Sequence, residues 1–225
     1  MPGNSQIVIT CGPAHEPIDQ VRRITNFSTG RLGVYISNRF ARQGWMVTCF
    51  KGEGATCPDK LSEAIRQIWF STNESLSEKM RSEVVGEEVA FCFHAAALCD
   101  YRVRQVVDGT GTPLNQPKLS SRAGELTIHL EPAAKILPHI KEWFPNACLV
   151  GWKYELNGNR ADAISKGRAQ IEESNSDACV VNGAAYGAGF GFLEKSGKIQ
   201  HLETMGELGE FLTGYVTQVS ALRKK

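Results

Sequence analysis

The segment from Ile7 to Gly33 constrains the fold more than any other part of the sequence. Ile7-Val8-Ile9-Thr10 is a short β-branched run, the signature of a parallel strand buried on both faces. Gly12-Pro13 ends it. Ser28-Thr29-Gly30-Arg31-Leu32-Gly33 then leads into a helix whose apolar positions Leu32, Ile36 and Phe40 share one face. Ser28 or Thr29 is the expected cap of that helix, and Gly30 is expected to let a bulky anion approach the free backbone N–H groups at its start. Taken alone, a strand, a glycine turn and a helix form a weak signal, because such glycines are at least as often purely structural. The spacing sharpens it. A dinucleotide fingerprint would place G-x-G-x-x-G directly after the strand, whereas here a polar stretch carrying Glu16, Asp19, Arg22, Arg23 and Asn26 intervenes. Polar groups concentrated at the carboxyl edge of a first strand read as a substrate loop.

The same alternation of strand and helix continues along the chain. Met46–Phe50, Ile65–Phe70, Val89–His94, Cys148–Lys153 and Asp177–Gly183 read as further buried strands. Helices are predicted at Glu74–Val85, closed by Gly86, at Glu131–Phe144, kinked or split by Pro138, and at Arg160–Ser174, capped by Asn159. The fold class is therefore α/β, a doubly wound and mainly parallel, Rossmann-like sheet, expected as a single domain over residues 1–225. Leu126–Leu130 reads as an additional strand. The polar, Gly- and Pro-containing stretch from Val103 to Ser121 is expected to be a flexible lid or substrate loop. Ala184–Phe192 is glycine-rich and expected to be flexible, followed by a hairpin turn at Lys195–Lys198 and a final helix at Met205–Leu222 with a basic tail, Arg223-Lys224-Lys225.

Charge and cysteine usage narrow the function. A net charge of +1 leaves no global basic field for nucleic acid, so any phosphate site must be local. The seven cysteines include no C-x-x-C pair, which argues against zinc, and most sit in strand-like runs as expected of reduced core thiols. No signal peptide is visible at Met1–Ser5, and no apolar run is long enough to cross a bilayer. These features point to a soluble, cytoplasmic protein with neither membrane nor nucleic-acid partners.

Two further stretches carry chemistry. His94-Ala95-Ala96-Ala97-Leu98-Cys99-Asp100 follows a buried strand, where small residues let a ligand approach the backbone and Asp100 offers a carboxylate for a hydroxyl, an amide or Mg²⁺. Alone, the pattern fits tight helix packing and an N-cap aspartate equally well. His94 reads as a core or strand-end histidine. Lys118, in Pro117-Lys118-Leu119-Ser120-Ser121, would be a solvated surface cation in most proteins.

Read together, these segments resemble the phosphopantothenate–cysteine ligase (phosphopantothenoylcysteine synthetase) family, in its stand-alone form. The family pattern is met by Glu16-Pro17-Ile18-Asp19, Gln20-Val21-Arg22, Asn26-Phe27-Ser28-Thr29-Gly30-Arg31-Leu32-Gly33 and Ala96-Ala97-Leu98-Cys99-Asp100, in family order. Further along come Lys118, Trp152 in place of a family phenylalanine, and Asn182 on the tip of the last parallel strand. Where bacterial members carry a K-x-K-K run, this chain has Ser120-Ser121 after its first lysine, closer to eukaryotic members.

The resemblance implies a ligase that joins 4′-phosphopantothenate to cysteine through an acyl-nucleotide, with CTP or ATP as co-substrate and Mg²⁺, in coenzyme A biosynthesis. It implies that Gly12, Ser28, Gly30, Gly33, Trp152 and Asn182 bind nucleotide, and that Asn26, Ala96, Ala97 and Asp100 bind phosphopantothenate. Asn26 and Lys118 are the implied catalytic residues. Arg22 would reach into the neighbouring subunit's site of a homodimer. The flavin-dependent half of bifunctional relatives is not expected, so FMN is not either, and the metal ligands stay unassigned. The resemblance favours Trp152 stacking on the nucleotide base, although a tryptophan is also an ordinary core residue. The competing readings are an NADP-dependent reductase, with Lys51 meeting a 2′-phosphate, and a nucleotide-binding protein that has lost ligase activity, for which Ser120 and Ser121 are the only support.

Overall fold

The computed structural model describes residues 5–84, 88–122 and 124–223. In chain order its elements are β1 (Gln6–Cys11), β2 (His15–Pro17), β3 (Arg23–Thr25), α1 (Arg31–Arg42), β4 (Met46–Gly52), β5 (Ile65–Phe70), α2 (Asn73–Ser82) and β6 (Val89–His94). They continue with β7 (Tyr101–Asp108), β8 (Leu126–Pro132), a 3₁₀ turn (Leu137–His139) running into α3 (Ile140–Trp143), β9 (Cys148–Tyr154), α4 (Arg160–Ser174), β10 (Ala178–Asn182), β11 (Phe190–Glu194), β12 (Ile199–Leu202) and α5 (Met205–Leu222).

The main sheet has the order β12-β11-β10-β9-β6-β1-β4-β5. All its pairings from β5 to β10 are parallel, and β11 and β12 close one edge as an antiparallel hairpin. Winding runs from β1 to β4 and β5 in one direction, then returns to β6 and proceeds to β9 and β10 in the other. The reversal lies between β1 and β6, which is where open α/β sheets form a ligand crevice at their carboxyl ends.

The strands are apolar on both faces because helices cover both. On β1, Ile7 and Ile9 pack with Val34, Ile36 and Phe40 of α1 and with Leu208, Leu212 and Val216 of α5. Val8, between them, points to the opposite layer with Leu76 and Met80 of α2, Ile140 of α3 and Leu149 of β9. Ala163 and Ile171 of α4 cover Cys179 and Val181 of β10 on that same side. Phe40 and Phe93 stack at a ring-centroid distance of 5.1 Å; burying each such ring contributes about 1.5–3 kcal/mol.

Local signals set several boundaries. Asn159 caps α4 in a capping box with Asp162, and Thr204 caps α5 through the Glu207 N–H. Thr72 caps α2, which begins one residue before the predicted start; the Gly86 stop and Lys224-Lys225 lie outside the described residues.

Three expectations are corrected. The stretch from Val103 to Ser121 is not a loop along its whole length: β7 takes it to Asp108 and pairs antiparallel with β8 as a separate two-stranded ribbon. The predicted helix at Glu131–Phe144 starts late, because β8 extends to Pro132 to complete that ribbon and only Leu137–Trp143 is helical. Ala184–Phe192 is anchored, with Ala185 and Tyr186 buried and β11 beginning at Phe190. A second ribbon, β2–β3, was not foreseen.

Candidate functional site

The carboxyl ends of β1, β6, β9 and β10 open into a cleft of about 1290 Å³. Asn26–Gly33 form one wall, His94–Asp100 the floor, and Trp152–Leu156 with Asn182 the opposite wall, while Lys135 and its neighbours close one end. Among the described residues no group of three or more His, Cys, Asp or Glu side chains is arranged to hold a metal ion.

At the first wall, α1 starts differently from expectation. Its N-cap is Gly30, in the left-handed region at φ 75°, rather than Ser28 or Thr29. Thr29 still contributes, because its Oγ1 accepts the Arg31 N–H at 3.3 Å. The N–H groups of Leu32 and Gly33, both lining the cleft, have no partner within the helix and remain available to an anion.

The glycines serve the approach of backbone to backbone. A Cβ on Gly30 would meet Ala55 Cβ at 3.1 Å and Gly12 Cα at 3.3 Å, so its missing side chain faces the turn and not the cleft. Gly12, at φ 79°, packs on Ala55 and Gly52 beneath the cleft and is absent from its lining. A Cβ on Gly33 would lie 2.1 Å from Cys11 Cβ, so α1 rests directly on the end of β1.

On the floor, hydrogen bonds pin the Ala-rich segment. Thr10 Oγ1 accepts the Ala96 N–H at 3.2 Å and shares a 2.8 Å hydrogen bond with His94 Nδ1. His94 is buried, and burial pushes its imidazole down to about 4, so it is neutral at pH 7. Asn26 Nδ2 donates to the Ala97 carbonyl at 3.3 Å and to the Leu98 carbonyl at 2.8 Å. Asn73 holds Cys99 through both its amide oxygen and nitrogen. Ala96 and Ala97 thus present a fixed, small-residue surface, and Asp100 at its end forms an ion pair with Lys135.

On the far wall, Trp152 Nε1 and Asn182 Oδ1 are both buried without a hydrogen-bond partner. Two unsatisfied groups in the same wall call for a ligand that supplies an acceptor and a donor. Beside them, Glu155 bridges Lys166 at 2.6 Å and Lys153 at 3.4 Å. Burial alone would raise the Glu155 carboxyl, but the two lysines outweigh it and hold it below the usual range.

Over residues 3–211 the chain matches the DNA/pantothenate metabolism flavoprotein C-terminal domain. The chain belongs to that family. A coenzyme A biosynthesis bifunctional protein CoaBC from Thermococcus kodakarensis is 33% identical over 178 residues, which is 79% of this chain and 41% of that protein. A cysteine/cysteine sulfinic acid decarboxylase from an unknown prokaryotic organism is 30% identical over 217 residues, covering 90% of this chain and 55% of that protein. The chain therefore spans about half the length, or less, of these relatives. Among solved structures, the DNA/pantothenate metabolism flavoprotein from Streptococcus pneumoniae superposes with a TM-score of 0.82 at 24% identity, covering 95% of this chain and 98% of that one. A Cab2 variant in complex with phosphopantothenate-cysteine gives a TM-score of 0.73 at 17% identity, covering 99% and 89%. These two likenesses establish the fold.

Of the residues that the family resemblance singles out, the cleft gathers Asn26, Ser28, Gly30, Gly33, Ala96, Ala97, Asp100, Trp152 and Asn182. It does not gather Gly12, Arg22 or Lys118. Lys118 is exposed on a segment tied to the β2–β3 ribbon, where Gln20 N–H reaches the Pro117 carbonyl at 3.0 Å and Leu119 N–H reaches Asp19 Oδ2 at 3.1 Å. Arg22 belongs to the same knot, donating to the Leu119 carbonyl and to Asp19. Lys51 is buried with its ammonium over the Trp69 ring at 5.5 Å, outside the cleft, and is not placed to read a nucleotide phosphate there. Lys135, Lys153, Glu155 and Lys166 also line the cleft. Lys153 and Glu155 follow Trp152 in the family's pattern for this strand end, whereas Lys135 lies within a predicted helix and Lys166 on the exposed face of another, and no spacing distinguishes those two from surface charge.

Proposed function

We propose that this chain ligates 4′-phosphopantothenate to cysteine. The acid's carboxylate attacks the α-phosphorus of CTP or ATP, releasing pyrophosphate, and the amine of cysteine then displaces the nucleoside monophosphate from the acyl carbon. Neither step needs a protein nucleophile; both need positioning and charge stabilisation. What supports this most directly is the pairing of an anion-ready helix start with a pinned Ala-rich floor in one cleft, in a chain related to proteins named for coenzyme A biosynthesis.

In this reading the Leu32 and Gly33 N–H groups meet the phosphates, Trp152 lies against the base, and Asn182 Oδ1 gains its missing donor from the nucleotide. Asn26 spends both amide hydrogens on the floor and turns its Oδ1 to the acid. Glu155, at the nucleotide end, is a carboxylate suited to Mg²⁺ carried in on a triphosphate, since Mg²⁺ is commonly held by one or two carboxylates plus substrate phosphates; when bound, it would neutralise phosphate charge. Arg22 and Lys118, which do not line their own cleft, serve the cleft of a second copy in a homodimer. The decarboxylase relative is the less similar of the two, 30% identical against 33%, and does not redirect this reading.

The test is pyrophosphate release with CTP or ATP, omitting each acid component in turn. Release should require phosphopantothenate, and nucleoside monophosphate should accumulate in solution only when cysteine is added. Hydrolysis of nucleotide without the acid, or no dependence on cysteine, would overturn the proposal.

A further inference from the structure

Among the described residues, the cations lining the cleft are Arg31, Lys135, Lys153 and Lys166. Lys153 and Lys166 both serve Glu155 beside Trp152, and Arg31 lies at the start of α1, with its Nε 3.9 Å from Asp59. These three belong to the nucleotide end. Lys135 stands apart, at the Asp100 end of the Ala-rich floor.

Its backbone is fixed on both sides. The Ala133 N–H donates to the Asp100 carbonyl at 2.9 Å, Tyr101 pairs with Pro132 across the ribbon, and Ile136 is buried in the core. The side chains of Lys135 and Asp100 are nevertheless 68% and 70% exposed. An ion pair that open to water adds little to stability, so holding the fold together does not account for it. It leaves an ammonium with three donors at the outer rim of the cleft, on a rigid base, and only one carboxylate to satisfy it.

Resting on the ligase reading, the direction of the acid substrate follows. Its carboxylate has to face the nucleotide, between α1 and Trp152, so its phosphate monoester projects toward the opposite end. We propose that Lys135 binds that phosphate, and that Asp100 holds the ammonium in position until the phosphate arrives. Lys135 is then a specificity residue for the phosphorylated acid over the same acid without its phosphate.

The experiment compares phosphopantothenate with pantothenate as the acid in the pyrophosphate-release assay, for wild type, Lys135→Met and Lys135→Arg. Lys135→Met should raise KM for phosphopantothenate about tenfold, the scale of one charge-assisted contact, with kcat, the nucleotide KM and the melting temperature unchanged. Its KM for pantothenate should equal that of wild type, and Lys135→Arg should restore most of the discrimination. Added salt should weaken phosphopantothenate binding in wild type more than in Lys135→Met. Active Lys135→Met with wild-type KM for phosphopantothenate, an equal loss for both acids, or a shift confined to the nucleotide would each overturn the assignment while leaving the ligase reading intact. A wild-type protein that releases no pyrophosphate with phosphopantothenate would instead sink both.

Discussion

His94 couples the stability of the cleft floor to pH, and the size of that coupling follows from its burial. The imidazole sits at the end of β6, 6% exposed, and shares its Nδ1 with the Thr10 hydroxyl. Burial lowers it from 6.5 to about 4. The unfolded chain therefore binds the proton more readily than the folded one, and stability rises with pH across that interval. The contribution is fully present above pH 6.5, is lost progressively as pH falls from 6.5 toward 4, and changes no further once both states are protonated. At 1.36 kcal/mol per tenfold difference in proton affinity, the loss amounts to roughly 3 kcal/mol. That is a large fraction of the 5–15 kcal/mol that holds a typical domain together. Denaturant unfolding of wild type and of His94→Gln, repeated from pH 7.5 to pH 4, isolates the effect, because glutamine keeps a polar partner for Thr10 and does not titrate. The stability difference between the two proteins should shift by roughly that amount in favour of the variant as pH falls. A difference that stays constant with pH, or an NMR titration placing the folded imidazole near 6.5, would refute the argument.

Two further outcomes follow from contacts in the cleft. Gly33→Ala puts a Cβ 2.1 Å from Cys11 Cβ, so α1 must lift from β1; overpacking of this kind costs about 1–3 kcal/mol, and Cys11→Gly in the same chain should recover part of the lost nucleotide affinity measured by calorimetry. Asn26→Asp replaces a donor to the Ala97 and Leu98 carbonyls with a carboxylate facing both; it should lower the melting temperature as well as turnover, by about 1–3 kcal/mol of stability, and a variant with wild-type melting would show that the floor does not depend on this amide.

The parts of the fold legible in the sequence are those set by local chemistry. The limits of α4 and α5 coincide with the predicted ranges, because Asn159 caps the one and a continuous amphipathic run defines the other. The parallel strands announced themselves as apolar runs, since both faces are covered. Of the two ribbons only β8 did, as the strand read at Leu126–Leu130. Strands β2 and β3 are three residues each, and β7 and β8 lack the continuous burial of the main-sheet strands, so their pairing, such as Val106 with Ile128, depends on partners far apart in sequence. The glycines were recognised but their reason was not: Gly30 and Gly33 are needed for backbone packing against Gly12 and Cys11, a demand visible only in three dimensions. Lys135 and Lys166 carried no sequence signal, because a charge becomes a cleft charge only through its register on the fold.

The ribbons also bear on how Arg22 and Lys118 must be judged. The Asp19 side chain, 1% exposed, accepts the N–H groups of Val21 at 2.7 Å, Arg22 at 2.6 Å and Leu119 at 3.1 Å, and the Arg22 guanidinium at 2.8 Å. Burial would raise its carboxyl, yet these donors together hold it below the usual range. A single carboxylate thus ties the tip of the β2–β3 ribbon to the segment carrying Lys118. Near the base of that ribbon β2 packs against β7, and burial, with the nearby Glu74, raises the Glu16 carboxyl. The β2–β3 ribbon and the segment carrying Lys118 are therefore tied to each other, and neither Arg22 nor Lys118 lines the cleft of its own chain. Arg22 and the segment carrying Lys118 share the Asp19 carboxylate, so substitutions at the two positions are expected not to add as independent effects. If they serve a second copy's cleft, they do so as a pair delivered by one arm, and a change at Asp19 removes both at once.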